Sequence, residues 1–360
     1  MKWSWKVGTY AGIPVYVHST FILLIVFLVV RDLGQGASLA AAAGSVLFLL
    51  AIFATVLLHE YGHALTARRY GIKTRDITLL PIGGLARLER LPEVPRQELY
   101  VALAGPAVNL AIAALTFVVA ALIGVGLGSP SADLSAGNVL GRFVAINLWL
   151  ALFNLIPAFP MDGGRALRAW LAERYDYSRA TEIAANLGQG LAFVFGFLGL
   201  FFNPILVFIA LFVWMGATAE ASSATVRAVV SGIPVERAMI TDFHTLEAGD
   251  SLRYAADLVV AGQQRDFPVV EGGRLVGVLT RDRLVRAVAE RGLDGLVREA
   301  MTEGYQTAEA RELLGPAFER LQTCACPVLP VLDEGRVVGL LTTENVGEFV
   351  MLRTAITRRR

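Results

Sequence analysis

The sequence predicts a polytopic α-helical membrane protein with about six transmembrane helices, followed by a soluble α/β module. Two observations support this fold class. Long uncharged apolar runs occupy the chain up to about Ala219, and a repeated pattern with frequent charged residues occupies the last third. The hydrophobic fraction is 55%, above the ~45–50% of soluble globular chains, and the charged fraction of 18% is below their ~25%. The net charge of +1 does not indicate a nucleic-acid partner.

The apolar runs are long enough for six crossings of a bilayer. A spanning helix needs ~20 largely apolar residues. The last run divides into two spans at Asn203-Pro204, because proline interrupts a helix. The runs, in chain order, are Val15–Val30 (the weakest candidate), Ala37–Leu58, Val101–Ala132, Phe143–Met161 and Ile183–Ala219.

Basic residues are concentrated in alternate connections, which predicts the orientation. Positive residues near the ends of spans favour the cytoplasmic side. The connections after the second and fourth spans contain Arg68, Arg69, Lys73, Arg75, Arg87, Arg90, Arg96, and then Arg165, Arg168, Arg174 and Arg179. With an even number of spans, we expect a multi-pass protein of the cell membrane whose N-terminus and C-terminal module are both cytoplasmic.

The second apolar run ends in a pattern typical of a hydrolytic zinc site. His59 and His63 are four residues apart, so on a helix both imidazoles can face one ion. Glu60 follows the first histidine and can accept a proton from a metal-bound water. The alternative is a structural pair of histidines that are hydrogen-bonded between helices. Ionisable groups inside a spanning helix are costly and usually mark function, which favours the metal site.

A third ligand is needed, because catalytic zinc usually has three protein ligands and one exchangeable position. Only four histidines occur, and His18 and His244 are poorly placed. Asp162 is the first acidic residue after the fourth apolar run, and the orientation argument puts it on the same side as His63. We therefore expect Asp162 to complete the site on a backbone loosened by prolines and glycines. The alternative is a solvated turn residue or helix N-cap.

The last third of the chain is an internal duplication. Val235-Glu236-Arg237-Ala238-Met239 returns 62 positions later as Val297-Arg298-Glu299-Ala300-Met301, and Pro268 returns as Pro330 at the same offset. Each unit predicts a helix, a short apolar strand, a glycine-linked strand pair and a second helix. We divide the chain into a membrane domain at residues 1–222 and repeat units at 233–292 and 293–356. The two cysteines, Cys324 and Cys326, are expected to be small buried residues of the second unit.

This duplication resembles a tandem pair of CBS domains over about residues 233–356. The resemblance implies a pseudo-symmetric module that binds an adenosine nucleotide in the cleft between its units, near Thr280 and Thr342. The family often has an aspartate three residues after each of these threonines, where this chain has Arg283 and Asn345. The alternative is a docking or dimerisation module without a ligand, through which the protein would form a homodimer.

The membrane domain resembles the site-2 protease family of intramembrane metalloproteases from about Lys6 to Ala221. Two motifs support this resemblance, namely His59-Glu60-x-x-His63 and Asn154…Pro157…Pro160-x-Asp162-Gly163. The resemblance implies lipid-embedded substrates with a single transmembrane helix, and it implies a protein that cleaves those helices under regulation by the CBS pair. A CBS-gated ion channel or transporter is the alternative function.

The same resemblance implies a role for each motif residue. One Zn²⁺ per chain would be held by His59, His63 and Asp162, with Glu60 as general base and acid. Asn154 would lie near the reacting carbonyl, although an interhelical hydrogen bond is its alternative role. The stretch Ala104-Gly105-Pro106-Ala107-Val108-Asn109 matches the start of a core helix of the family, where Asn109 is expected to be structural.

A glycine-containing segment, Pro81–Ala86, matches a stretch beside the family's active site. A helical substrate hides its carbonyls in its own hydrogen bonds and must unwind before cleavage. We therefore expect this segment to bind the unwound substrate by strand addition, with Gly83 and Gly84 allowing close approach of the backbones. A plain turn is the alternative.

Overall fold

The computed structural model describes residues 3–90, 92, 94–125, 139–262, 264–324 and 326–357. The chain separates into two compact units, Met1–Ala224 and Thr225–Arg360. Each unit is described by itself below, and helix α7 begins in the first unit and ends in the second.

The first unit combines apolar helices with one four-stranded sheet. Its elements are β1 (Ser4–Tyr10), β2 (Ile13–His18), α1 (Thr20–Gly34), α2 (Leu39–Arg69), β3 (Thr74–Leu80), β4 (Gly83–Leu88), α3 (Pro95–Leu122), α4 (Val139–Asn154), α5 (Asp162–Leu171), α6 (Tyr177–Phe201) and α7 (Pro204–Val230).

Four of these helices, α2, α3, α6 and α7, are long and apolar enough to cross a membrane. Helix α4 is apolar but has 16 described residues, about 24 Å at 1.5 Å per residue, against a hydrocarbon core of ~30 Å. It ends at Asn154, because Pro157 and Pro160 cannot continue a helix. The membrane fold is therefore confirmed, with an approximate helix count.

The expected first span, Val15–Val30, is wrong as a single helix. Residues Ile13–His18 form strand β2, and helix α1 begins only at Thr20 and has 15 residues. Ile13 and Val15 are buried while the residues between and after them are less so, which is the period-two pattern of a strand. An average hydropathy over a window does not detect this alternation.

The sheet of the first unit positions β4 beside helix α2. The strand order is β1-β2-β3-β4, with β2 and β3 parallel and the outer pairs antiparallel. Ile13 and Ile77 of the sheet form a buried cluster with Ala64 of α2, and Ala86 of β4 packs against it. This packing fixes β4 against the half of α2 that contains the histidines.

A buried guanidinium holds helix α5 in place. Arg168 of α5 is fully buried, and its Nε donates a hydrogen bond of 2.9 Å to Glu98 of α3. The same side chain forms an ion pair with Glu220 of α7 and lies 5.1 Å and 4.9 Å from the ring centroids of Phe159 and Tyr177. Helix α5 is thus attached to α3 and α7 by one side chain.

The second unit repeats one set of elements at the 62-residue offset that the sequence shows. Short 3₁₀ helices at Val235–Arg237 and Val297–Glu299 precede the two copies. The first copy is β5 (Leu246–Glu247), α8 (Leu252–Ala261), β6 (Phe267–Glu271), β7 (Arg274–Leu279) and α9 (Arg281–Arg291). The second is β8 (Ala308–Glu309), α10 (Leu314–Thr323), β9 (Val328–Asp333), β10 (Arg336–Thr342) and α11 (Thr343–Thr357).

Each copy has its own three-stranded sheet, in the orders β5-β6-β7 and β10-β9-β8. Equivalent core residues are fully buried in both, as Leu252 and Leu314 show, and as Leu279 and Leu341 show. The predicted α/β character of the module is confirmed. Cys324 and Cys326, expected to be small buried residues, are half-buried and joined by a disulfide bond at the end of α10.

Candidate metal centre

The structure brings the three predicted ligands together. His59 and His63 lie one turn apart on α2, and Asp162 is the first residue of α5. The two imidazole Nε2 atoms are 3.1 Å apart, and each lies 3.1 Å from Oδ2 of Asp162. All three side chains are buried. Three donor atoms from two distant parts of the chain therefore converge on one point.

The spacing of these atoms fits a zinc ion. An ion ~2.0–2.1 Å from each donor in tetrahedral geometry would hold the donors about 3.3 Å apart. Nδ1 of His63 donates to the carbonyl oxygen of Val101 at 2.7 Å, which leaves the Nε2 lone pair directed at the other donors. Burial raises the pKa of the Asp162 carboxyl, but its interactions with His59 and His63 lower that pKa by more. A carboxylate facing imidazole nitrogens in a buried site is suited to a cation.

Two glycines position Asp162 by close packing. A Cβ added at Gly163 would lie 2.3 Å from the carbonyl oxygens of Leu155 and Ile156. A Cβ at Gly164 would lie 2.6 Å from the backbone of Ala158 and Phe159. The segment between Asn154 and Asp162 is not helical, as the prolines predict, and the two glycines allow the first turn of α5 to pack tightly on it.

Gly105 is a site residue that the sequence analysis did not single out. A Cβ at this position of α3 would lie 2.2 Å from Nε2 of His63 and 2.6 Å from Nε2 of His59. Helix α3 therefore passes directly against the imidazoles, which only glycine permits. The signal in the sequence was a glycine next to Pro106 at the start of an apolar run, in the stretch already matched to a core helix.

Glu60 is half-buried on α2 and lies against strand β4. A Cβ at Gly84 would be 2.5 Å from Cγ of Glu60, so the strand backbone contacts this side chain directly. Gly83 has no atom near a Cβ position, but its φ of +141° is one that residues with a side chain rarely adopt. Glycine is therefore needed at position 84 because Glu60 lies so close, and it is favoured at position 83 because of the backbone conformation there.

The predicted residue Asn154 has no hydrogen bond to the three donor atoms in the part of the chain that the structure describes. Its side-chain amide donates to the carbonyl of Leu150 in its own helix, at 2.9 Å. Asn109, by contrast, lies at the site, with Oδ1 2.5 Å from Nδ1 of His59. Its own amide nitrogen donates to Asn147 of α4 at 2.9 Å.

The predicted nucleotide contacts, Thr280 and Thr342, both serve as helix caps. The Thr280 hydroxyl accepts from the backbone N–H of Arg283 at 3.4 Å, and the Thr342 hydroxyl accepts from Asn345 at 3.1 Å. Neither threonine lines the cavity of about 370 Å³ in the second unit. The lining residues of this cavity are Ala248, Glu271, Val276, Arg298, Met301 and Glu303.

Known proteins show which family this arrangement belongs to. The model of peptidase family M50 matches residues 47–131 and 119–197, and the CBS domain model matches residues 232–290. A zinc metalloprotease of Methanocaldococcus jannaschii is 36% identical over 315 residues, which cover 87% of each chain. The chain belongs to peptidase family M50, the site-2 protease family.

One further relative and one solved structure are similar to this M50 chain. A protein of Synechocystis, also named as a zinc metalloprotease, is 32% identical over 95% of this chain and 94% of its own length. The solved site-2 protease from Methanocaldococcus jannaschii is 37% identical, covers 61% of this chain and 95% of its own, and has a TM-score of 0.45. The M50 matches include the histidine motif and Asp162. The recognised family and the enzyme class, a metalloprotease in a membrane, are confirmed.

Proposed function

We propose that this M50 chain is a zinc-dependent endopeptidase that cleaves the transmembrane segments of single-span membrane proteins within the bilayer. The observation that supports this function best is the meeting of three buried donor atoms, 3.1 Å apart, beside a glutamate. The C-terminal half of α2 and the start of α5 meet at this point. Their meeting supports the expectation that both connections lie on one side of the membrane. That this side is cytoplasmic, together with the N-terminus and the CBS module, is proposed from the basic residues of the two connections.

In the mechanism that we infer, His59, His63 and Asp162 would hold one Zn²⁺, which would supply an acidified water and polarise the scissile carbonyl. Glu60 would act as the general base and acid, accepting a proton from the attacking water and passing it to the leaving amine nitrogen. Gly84 keeps the Glu60 side chain against strand β4, which restricts the positions of its carboxylate. Asn154 remains a proposal for orienting the substrate carbonyl. One N–H of its amide donates to Leu150, and the amide nitrogen has a second N–H.

Strand β4 is the proposed docking strand for an unwound substrate. It pairs with β3 on one side, and its other edge has no strand partner among the described residues. An added strand at this edge would obtain main-chain hydrogen bonds while it passes close to Glu60, which Gly84 contacts. The turn in this segment is limited to Pro81 and Ile82.

Proline substitution in β4 tests the strand-addition proposal. In an antiparallel pair, successive N–H groups point alternately toward and away from the partner strand. Of Leu85 and Ala86, one therefore directs its N–H to the free edge, where proline removes a donor without breaking the β3–β4 pairing. We expect the variant, Leu85→Pro or Ala86→Pro, that retains zinc to lose most of its cleavage activity. Strand addition would be contradicted if Leu85→Pro and Ala86→Pro both retained zinc and both cleaved at the wild-type rate.

The experiment that tests the function uses the full chain in liposomes with a single-span reporter protein. Cleavage, bound zinc and ion flux are measured for the wild type and for Glu60→Gln. If the protein is an endopeptidase, the wild type cleaves the reporter, Glu60→Gln does not, and both forms contain zinc. Ion flux without cleavage in either form would favour the CBS-gated channel or transporter, and cleavage by both forms would remove Glu60 from the mechanism.

We propose that the CBS pair modulates cleavage by binding an adenosine nucleotide in the 370 Å³ cavity. Arg298 offers a guanidinium for a phosphate group, and Glu271 and Glu303 offer carboxylates for ribose hydroxyls. Binding near the caps Thr280 and Thr342 and a homodimer formed through the module both stay predictions.

We expect Arg298→Ala to weaken nucleotide binding by roughly 10–100-fold, because a charge-assisted hydrogen bond contributes about 1.5–3 kcal/mol. Calorimetry with AMP, ADP and ATP on the full chain measures this, with the exposed Arg286→Ala as the matched control. A cleavage rate that the bound nucleotide does not change would contradict modulation. Equal binding by Arg298→Ala and the wild type would place the ligand elsewhere.

A further inference from the structure

A continuous line of hydrogen bonds connects the metal centre to the backbone of α4. Oδ1 of Asn109 lies 2.5 Å from Nδ1 of His59, and Nδ2 of Asn109 donates to Oδ1 of Asn147 at 2.9 Å. Nδ2 of Asn147 then donates to the carbonyl oxygen of Phe143 at 2.9 Å. Both asparagines are completely buried, so these contacts do not compete with water.

The direction of every bond in this line follows from its last member. A backbone carbonyl only accepts, so the amide nitrogen of Asn147 must face Phe143 and its oxygen must face Asn109. Asn109 must therefore present its nitrogen to Asn147 and its oxygen to His59. An amide oxygen also only accepts, so Nδ1 of His59 must bear the proton. The Nε2 atom, which faces Asp162 and His63, is then left with a free lone pair.

We propose that Asn109 and Asn147 are positioning residues that select the metal-binding tautomer of His59. His63 needs no such line, because the carbonyl of Val101 fixes its tautomer directly. The role of Asn147 is to prevent a flip of the Asn109 amide. A flipped amide would point its N–H₂ at Nδ1 of His59, move the imidazole proton to Nε2 and block the position that faces the ion. This inference rests on the proposed metal site, but its readouts do not require cleavage.

The first test is Asn147→Leu, which removes the amide while keeping a side chain of similar size. We expect zinc affinity, measured by competition with a chromophoric chelator, to fall by roughly 10–100-fold, the usual effect of losing an outer partner of a metal-bound histidine. We also expect ¹⁵N NMR of the metal-free protein to show His59 changing from one tautomer to a mixture. Only four histidines contribute to that spectrum.

The decisive test is rescue. In Asn147→Leu, the second change Asn109→Asp places a carboxylate beside His59, and a carboxylate has the same acceptors after a flip. We expect zinc affinity and the single tautomer to return to the wild-type state. Thr55→Val is the matched control, because Thr55 is a buried polar residue of α2 whose hydroxyl, among the described residues, hydrogen-bonds within its own helix, to Ile52 at 2.8 Å. It should change neither quantity.

Two outcomes would overturn the proposal. One is a normal tautomer and zinc affinity in Asn147→Leu, and the other is a loss that Asn109→Asp does not restore, which indicates a packing defect. If Asn147→Leu does not fold, Asn109→Leu and Asn109→Asp are compared, and equal zinc affinities of the two would equally reject it. A wild-type protein that binds zinc without cleaving would reject the proposed function but not this inference, because the tautomer and the affinity are still measured.

Discussion

Glu60→Gln is expected to lower the cleavage rate by roughly 10²–10⁴-fold, the usual contribution of a general acid–base group, and to leave bound zinc unchanged. Glutamine has nearly the same shape but cannot accept the proton of the attacking water. Bound zinc should be unchanged because Glu60 is not one of the three donor residues, whose donor atoms lie 3.1 Å from one another. Because Gly84 leaves just enough room for a side chain of this length, we expect glutamine to fit without moving β4.

Cleavage of a reporter in liposomes and zinc content by elemental analysis together check this prediction. Glu173→Gln is the matched control. Glu173 is an acidic residue whose ion pair with Arg96, at 3.1 Å, is not part of the metal centre. This variant should cleave like the wild type. A Glu60→Gln protein that lost its zinc would show that the side chain supports the ligands, and one that still cleaved would assign the proton transfer to another group.

Arg168→Met is expected to destabilise the membrane unit by about 3–5 kcal/mol, because it leaves a buried carboxylate without its partner. The guanidinium of Arg168 is fully buried between Glu98 and Glu220. Burial lowers the pKa of Arg168, but Glu98, Tyr177 and Glu220 together raise it by more, so the guanidinium remains charged. Methionine fills a similar volume and cannot neutralise Glu98, which is itself buried.

Thermal unfolding in detergent measures this effect, and we expect a midpoint roughly 6–20 °C lower from the usual relation for units of this size. Adding Glu98→Gln to Arg168→Met should recover part of the loss, because the amide removes the unpaired charge. Arg96→Met, which breaks the exposed pair with Glu173, is the control and should have little effect. An unchanged midpoint in Arg168→Met would mean that water reaches Glu98.

The sequence was sufficient for the parts of the site that depend on local geometry and on charge. His59 and His63 follow from helical spacing, and Asp162 follows from the side of the membrane to which the basic residues assign it. The equal 62-residue offset likewise predicts the two copies of the second unit. These features depend on the spacing of residues along the chain, which can be read directly from the sequence.

The remaining site residues depend on how helices pack, which no local pattern records. Gly105 matters because α3 passes within contact of two imidazoles of α2. Asn109 was expected to be structural, and only the positions of α2 and α4 show that its amide lies between His59 and Asn147. The prediction of a single helix at Val15–Val30 failed for a similar reason, because the pairing of β2 with β1 and β3 outweighs the hydropathy of this segment.

The three donors and the amides behind them come from four helices, α2, α3, α4 and α5, which has a thermodynamic consequence. A partly assembled bundle cannot present this arrangement, so ion binding and helix assembly are linked equilibria. Free zinc at 1,000 times its dissociation constant would add about 4 kcal/mol to the stability of the assembled state. Chelation would therefore act at a distance from the ion, by releasing helices that have no contact with it.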